Sequence, residues 1–178
     1  MRRYCEGQNI FDLAVNPHTK MGVDVARLRR EGELERFVRY ALRENDADSV
    51  FIALDCDDHD AASIVQEFDG RVAALSPARK VVISLFEREF EALFLHGIQE
   101  IVAAYPEYGW SKKGVSAIGI PEKIRDAKGQ LSSVMASGRA YKPTRDQTKF
   151  VSALDLNKLH GASPTYRAFE SAMEELLG

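Results

Sequence analysis

The chain has 178 residues and a formal net charge of -3, from 24 Lys and Arg against 27 Asp and Glu. That length suits one domain burying roughly 70% of the surface its unfolded form exposes, and that charge excludes a general pull toward nucleic acid, so a polyanion partner needs a local patch or a metal. Met1-Arg2-Arg3-Tyr4 is not followed by a long apolar run, and Cys5 and Cys56 lack zinc spacing and are too few for a disulfide framework; the expectation is a cytoplasmic protein with no membrane span and reduced thiols.

Ile10-Phe11-Asp12-Leu13-Ala14-Val15, closed by Asn16-Pro17, has the pattern of a strand ending in a turn. Leu34, Phe37, Val38, Ala41 and Leu42 recur at helical spacing while Arg36, Arg39 and Arg43 fall elsewhere, which predicts an amphipathic helix over 34–42. Ser49 to Leu54 is apolar almost without alternation, as in a strand covered on both faces, and it delivers Asp55 to its carboxyl end. Ala61, Ile64, Val65 and Phe68 mark a helix expected to stop near Gly70, and Lys80 to Phe86 reads as a second buried strand. Phe90, Leu93 and Phe94 mark a helix beginning at Glu87, and Ile98 to Ala104 is helical too. The run Pro106-Glu107-Tyr108-Gly109-Trp110 predicts a long surface loop from Tyr105 to Pro121.

The last third reads as helices at Glu122 to Ala136, Thr144 to Leu154 and Pro164 to Leu177. For the final one Ser163 supplies an N-cap oxygen, Pro164 fits the first helical position, and Tyr166, Phe169, Met173 and Leu176 form one stripe. Strand and helix alternate through the first half. The expected fold is therefore α/β, a mainly parallel sheet with flanking helices, as a single domain over 1–178 with its α/β core in 1–104 and a helical part in 105–178.

Asp55, Asp57, Asp58, Asp60, Glu67 and Asp69 occur within fifteen residues with no intervening Lys or Arg. Ligands of open α/β sheets bind beyond the carboxyl ends of strands, and two carboxylates one residue apart at such an end can share Mg²⁺ or Mn²⁺. Asp55 and Asp57 meet that requirement, and phosphoryl transfer or phosphodiester cleavage is the chemistry such a site serves. Asp58 and Asp60 read instead as a helix cap and first-turn acids. Glu89, after the second strand, has two readings: a third acid of the Asp55 site, or a first-turn glutamate answering the helix dipole. Glu91 takes the second of these.

Basic residues gather at Arg27, Arg29, Arg30, Arg36, Arg39 and Arg43, and again late in the chain, where Lys128, Lys142, Arg145 and Lys149, with Tyr141 among them, are candidates to track the phosphate backbone of DNA or RNA. The alternative is a merely solvated face. His18, His59, His96 and His160 form no HxxxH or HExxH pair and read as surface or packing residues. Walker A, GxGxxG and GxSxG motifs are absent.

Phe51-Ile52-Ala53-Leu54-Asp55-Cys56-Asp57-Asp58, Arg88-Glu89-Phe90-Glu91-Ala92-Leu93-Phe94-Leu95, Tyr141-Lys142-Pro143-Thr144 with Gln147, and Ser163-Pro164-Thr165-Tyr166-Arg167-Ala168-Phe169 together resemble domain-of-unknown-function family 4276. These are small Toprim-like proteins related to OLD-type nucleases. The resemblance implies a Toprim-like (Rossmann-like) fold, Asp55 and Asp57 as Mg²⁺ ligands for strand cleavage or joining, and an ATPase partner encoded nearby in a phage-defence setting. Toprim folds also carry a glutamate after the first strand. Glu6-Gly7 does not supply it, because Met1 to Cys5 is too short and polar for a buried strand. The expectation is a chain that begins after the element carrying that glutamate.

Three functions follow. The first is a Toprim-like, Mg²⁺-dependent nuclease in which Asp55, Asp57 and Glu89 are the catalytic acids. The second is a non-catalytic subunit that keeps the fold and binds the ATPase. The third takes Asp55 and Asp57 as the nucleophile and acid of a haloacid-dehalogenase-like phosphatase, although no later Gly-Asp-x-x-x-Asp motif accompanies them.

Overall fold

The structure is a computed structural model that describes residues 1–8, 10, 23–44 and 47–178. From Phe11 onward the candidate strand 10–15 lies outside the described residues, as does His18. The chain divides into two compact units, Met1–Phe86 with Ala168–Gly178, and Glu87–Arg167.

The first unit is mixed α/β. It contains α1 (Arg2–Gly7), α2 (Val25–Leu28), α3 (Glu33–Glu44), β1 (Ser49–Asp55), α4 (Ala61–Ala74) and β2 (Lys80–Phe86). Among the described residues β1 and β2 form a two-stranded parallel sheet in which Ser49 pairs with Lys80 and Asp55 with Phe86. The crossover that parallel strands require is supplied by α4. One sheet face presents Ile52, Leu54, Ile83 and Leu85 to a core built from Val25, Leu28, Leu34, Val38, Ile64, Phe68 and Val72. Arg71 ties the helices of that core: its guanidinium donates to both carboxylate oxygens of Glu35 at 2.8 and 2.7 Å and to the Leu28 carbonyl at 2.9 Å. On the other face Phe51 and Phe86 meet Phe169, which also takes the edge of Tyr4.

Two expectations change here. β2 is buried from Val82 to Phe86 as predicted, but in β1 only Val50 is buried and Ala53 is exposed. Among the described residues β1 has a single strand neighbour, so apolar composition alone did not report double coverage. α4 also runs through Gly70 to Ala74. An internal glycine costs about 1 kcal/mol against alanine, and burial of Val72, one more step along the Ile64, Phe68 stripe, outweighs it.

The second unit is helical: α5 (Ala92–His96), α6 (Ile98–Ala104), a 3₁₀ turn Pro106–Tyr108, α7 (Lys112–Ser116), a second 3₁₀ turn Pro121–Lys123, α8 (Ala127–Ser133), α9 (Pro143–Ala153) and α10 (Leu156–Ala162). Its centre is Phe150, fully buried, with the rings of Phe94, Tyr105, Tyr108, Trp110 and Tyr141 all between 5.4 and 6.0 Å from its own. The predicted loop from Tyr105 to Pro121 is largely exposed, but it carries a 3₁₀ turn and α7 and sends Tyr108 and Val115 inward. Tyr108 is buried, and its segment pairs with a later turn through Ser111 N–H to the Val134 carbonyl at 2.8 Å and Ala136 N–H to the Tyr108 carbonyl at 3.1 Å. The helix expected over 122–136 is likewise broken, because the Asp126 carboxylate restarts it as an N-cap, accepting from Gly129 N–H at 2.7 Å. α10 was not anticipated.

The last helix, α11 (Pro164–Leu177), begins in this unit and from Ala168 belongs to the first. Its cap is the predicted one: Ser163 Oγ accepts from Tyr166 N–H at 3.2 Å, and Tyr166, Phe169 and Met173 are buried.

Candidate functional site

The turn after β1 is shaped by Cys56. Its N–H donates to the Phe86 carbonyl at 2.8 Å, continuing the sheet ladder one residue past Asp55, and its buried thiol donates to the His59 carbonyl at 3.3 Å. With the chain pinned there, the next residue turns sharply: Asp57 adopts φ 51°, in the left-handed region. Aspartate tolerates that region better than most side chains, yet it remains uncommon and concentrates where a side chain must be aimed. Asp55, half-buried at the strand end, and Asp57, exposed, are therefore separated by one buried residue on a defined turn.

Two other acids of the run, Asp60 and Glu67, have separate tasks. Asp60, and not Asp58, is the N-cap of α4, accepting from Ser63 N–H at 2.8 Å; the Ser63 hydroxyl first, and its N–H next, hold the Asp60 carboxyl below the usual range. Glu67 pairs with Arg29 at 3.0 Å. Among the described residues no group of three or more His, Cys, Asp or Glu side chains is gathered as a metal site.

Glu89 belongs to a different construction. A helix does not begin at Glu87, because Arg88 has φ 66°, and α5 starts only at Ala92. Ahead of α5, Glu89 reaches α8, where Oε2 accepts from the N–H groups of Ala127 and Lys128 at 2.8 and 3.2 Å and Oε1 from Lys128 Nζ at 2.8 Å. It does answer a helix N-terminus, but that of α8 and not its own.

Glu91 overturns its expected role. It is 2% exposed, accepts the Tyr141 hydroxyl at 3.0 Å on Oε1, and meets Lys128 Nζ at 3.2 Å through Oε2. Burial, and then the neighbouring Glu91 carboxylate, push the Tyr141 hydroxyl well above its ordinary pKa, so it stays a donor. A second buried acid, Asp146, accepts from Tyr108 Oη at 2.7 Å, from Lys142 N–H at 2.8 Å, and from Arg145 through two nitrogens at 2.6 and 2.7 Å. Burial works to raise its pKa, and the Arg145, Tyr108 and Lys142 hydrogen bonds together bring it below the usual carboxylate value. A half-buried contact joins His96 Nε2 and Glu122 Oε1 at 2.6 Å, with Ser163 Oγ donating to the same oxygen at 3.2 Å.

Of the predicted nucleic-acid residues, Lys128 and Arg145 spend their charge on these carboxylates. Lys142 and Lys149 are exposed, and among the described residues no carboxylate pairs with either. In the earlier basic group, Arg27 and Arg36 both pair with Glu33 at 2.9 Å and lie over the Phe37 ring.

Residues 1–174 match the family model described as Domain of unknown function (DUF4276). The chain belongs to the DUF4276 family. No curated protein and no solved structure matches it. The DUF4276 chain thus combines an acidic strand-end turn in its first unit with two buried, hydrogen-bonded carboxylates, Glu91 and Asp146, and a half-buried one, Glu122, in its second. Among the described residues no helix is long and apolar enough to cross a membrane.

Sequence reasoning missed Glu91, Asp146, Tyr108 and the His96–Glu122 pair. An acid near a helix start ordinarily reads as a dipole partner, and Asp146 was only one of the acids interleaved among late basic residues. The one usable signal was Tyr141-Lys142-Pro143, where Pro143 at the first helical position of α9 leaves the tyrosine outside the helix.

Proposed function

We propose that this DUF4276 chain is a Toprim-like protein whose Asp55 and Asp57 hold Mg²⁺ or Mn²⁺ for cleavage of a phosphodiester bond. The observation that carries it is the left-handed backbone at Asp57, two residues past the last residue of a parallel strand that itself ends in Asp55. The donor set fits the metal: two carboxylates, one half-buried and one exposed, suit a small hard cation that keeps several waters. When bound, the metal supplies charge stabilisation on phosphate and a water of lowered pKa. The chain's own contribution is positional. Cys56 anchors the turn to β2 and Asp60 is committed to the helix cap, which leaves Asp55 and Asp57, flanking Cys56, as the pair proposed for that task.

A second reading is favoured by Glu89. Its oxygens are occupied by Lys128 Nζ and the α8 amides, a structural commitment within the second unit. A DUF4276 chain that binds metal but does not cleave, and serves as the subunit of an ATPase partner in phage defence, accounts for that commitment.

Plasmid nicking with Mg²⁺ and with Mn²⁺, beside calorimetric Mn²⁺ titration, tests both. Cleavage lost in Asp55→Asn and Asp57→Asn supports the nuclease, and asparagine is chosen because it also accepts the left-handed backbone. Metal binding without cleavage supports the subunit. No metal binding at all sinks both.

A further inference from the structure

Charge is unevenly divided between the units. The segment Glu87–Arg167 carries 12 Lys and Arg against 9 Asp and Glu, whereas the first unit carries 12 against 18. Within the second unit the buried Glu91 and Asp146 are matched by Lys128 and Arg145, so the surplus lies with the remaining cations.

The surplus collects around the aromatic cluster. Arg139 places its guanidinium 4.7 Å from the Tyr108 ring centroid, and Tyr108 stacks on Trp110 at 5.5 Å with 20° between planes. Trp110 is fixed by its indole N–H, which donates to the Tyr105 carbonyl at 2.7 Å, and the Tyr105 hydroxyl donates to the Lys149 carbonyl at 2.9 Å. Lys142 joins the same cluster through its N–H on Asp146, which is itself bonded to Tyr108. Arg139, Lys142 and Lys149 are exposed, and among the described residues none of them has a carboxylate partner. Trp110 and Tyr105 are half-buried, so each keeps part of its ring at the surface. Glu107 is the exposed acid of the same segment.

Rigid aromatic rings bordered by unpaired cations are what single-stranded nucleic acid needs, since bases stack on rings without regard to sequence and phosphates follow the cations. Duplex offers its phosphates but keeps its bases stacked on each other. We infer that the second unit binds single-stranded nucleic acid on the face formed by Arg139, Lys142, Lys149, Tyr105 and Trp110. This supplies a substrate class for the phosphodiester chemistry proposed above, and binding itself needs no metal.

The chain has one tryptophan, so Trp110 reports on its own site. The full chain is titrated in EDTA with fluorescein-labelled oligo(dT) and oligo(U) 20-mers, a 20-base-pair duplex and heparin, following anisotropy and Trp110 emission. Both single strands or one of them binds with quenching of Trp110, the affinity falls with salt, and the combined Arg139→Gln, Lys142→Gln, Lys149→Gln variant binds at least about tenfold more weakly with a salt slope smaller by about 2. The ratio of oligo(dT) to oligo(U) affinity tells DNA from RNA. Lys142 and Lys149 are exposed and make no ion pair, so Lys142→Gln with Lys149→Gln keeps the wild-type unfolding midpoint, while Arg139→Gln also gives up its place over the Tyr108 ring and lowers the midpoint slightly. Equal binding of heparin, duplex and single strands with unchanged Trp110 emission overturns the inference, as does a triple variant that binds like wild type. Asp57→Asn retains binding, so failure of the metal site and failure of this face are read separately.

Discussion

Tyr141 and Glu91 stand 50 positions apart in the chain and share a buried hydrogen bond of 3.0 Å, the tyrosine donating. Glu91 is a carboxylate at 2% exposure, and Lys128 alone would leave Oε1 unsatisfied. A buried acceptor stripped of its partner costs about 1–3 kcal/mol. Tyr141→Phe, which keeps the ring stacked on Phe150, is therefore expected to lose about that much stability in urea unfolding, with an unchanged m-value. Loss of much less would mean that the bond contributes little in solution.

The same pair sets an alkaline limit. The folded-state pKa of Tyr141 is raised above the ordinary value of 10.0, by burial first and by Glu91 next. A raised tyrosine is protonated in both states below pH 10, and above it only the unfolded chain ionises freely, so its contribution is full below that pH and declines as pH rises past it. Tyr108 and Tyr4 are raised too and add to the slope. Between pH 9 and pH 11 wild type is expected to lose more stability than Tyr141→Phe, measured by denaturation at each pH; parallel losses would remove Tyr141 from the account.

Gly109 and Gly138 make a matched comparison. Both have positive φ, 65° and 80°, but a Cβ at Gly109 would lie 2.8 Å from the Ala136 Cβ, whereas nothing lies within 4 Å of one at Gly138. Alanine at Gly138 is expected to cost only the left-handed penalty of about 1–2 kcal/mol. Alanine at Gly109 adds overpacking, for a total on the order of 2–5 kcal/mol, because it pushes apart the segment pair that carries Tyr108 and Ala136. Thermal unfolding of both variants checks the order, and equal losses would show that the contact relaxes.

Where local pattern and tertiary packing agreed, the chain was readable from its residues. β2 and α6 have the expected bounds, and α11 has its expected cap, because each is decided by apolar periodicity and neighbouring Pro, Ser or turn residues. The departures have two causes. Gly70 stayed helical because Val72 is buried, the helix near Glu87 started late because Arg88 turns left-handed, and Tyr108 went inward because Asp146 and Phe150 receive it. For Gly70 and Tyr108 the deciding contact is with packing that no window of a dozen residues contains, and at Arg88 the backbone turn has no composition signal. The acidic turn was legible as a cluster of charge; its division into Asp55 and Asp57 on one hand and the Asp60 cap on the other needed the backbone at Asp57.

That division can be tested by separating stability from metal binding. Asp60 accepts the Ser63 N–H, so Asp60→Ala removes a helix cap and is expected to lower the unfolding midpoint while leaving Mn²⁺ titration unchanged, and Asp60→Asn, which still caps, to restore the midpoint. Asp57→Gly should do the opposite. Glycine takes the left-handed backbone without penalty, so the fold keeps its stability, but the carboxylate is gone and Mn²⁺ affinity falls at least about tenfold. If Asp60→Ala weakened metal as much as Asp57→Gly, the cap would be part of the site and the two-carboxylate reading would have to give way to a three-carboxylate one.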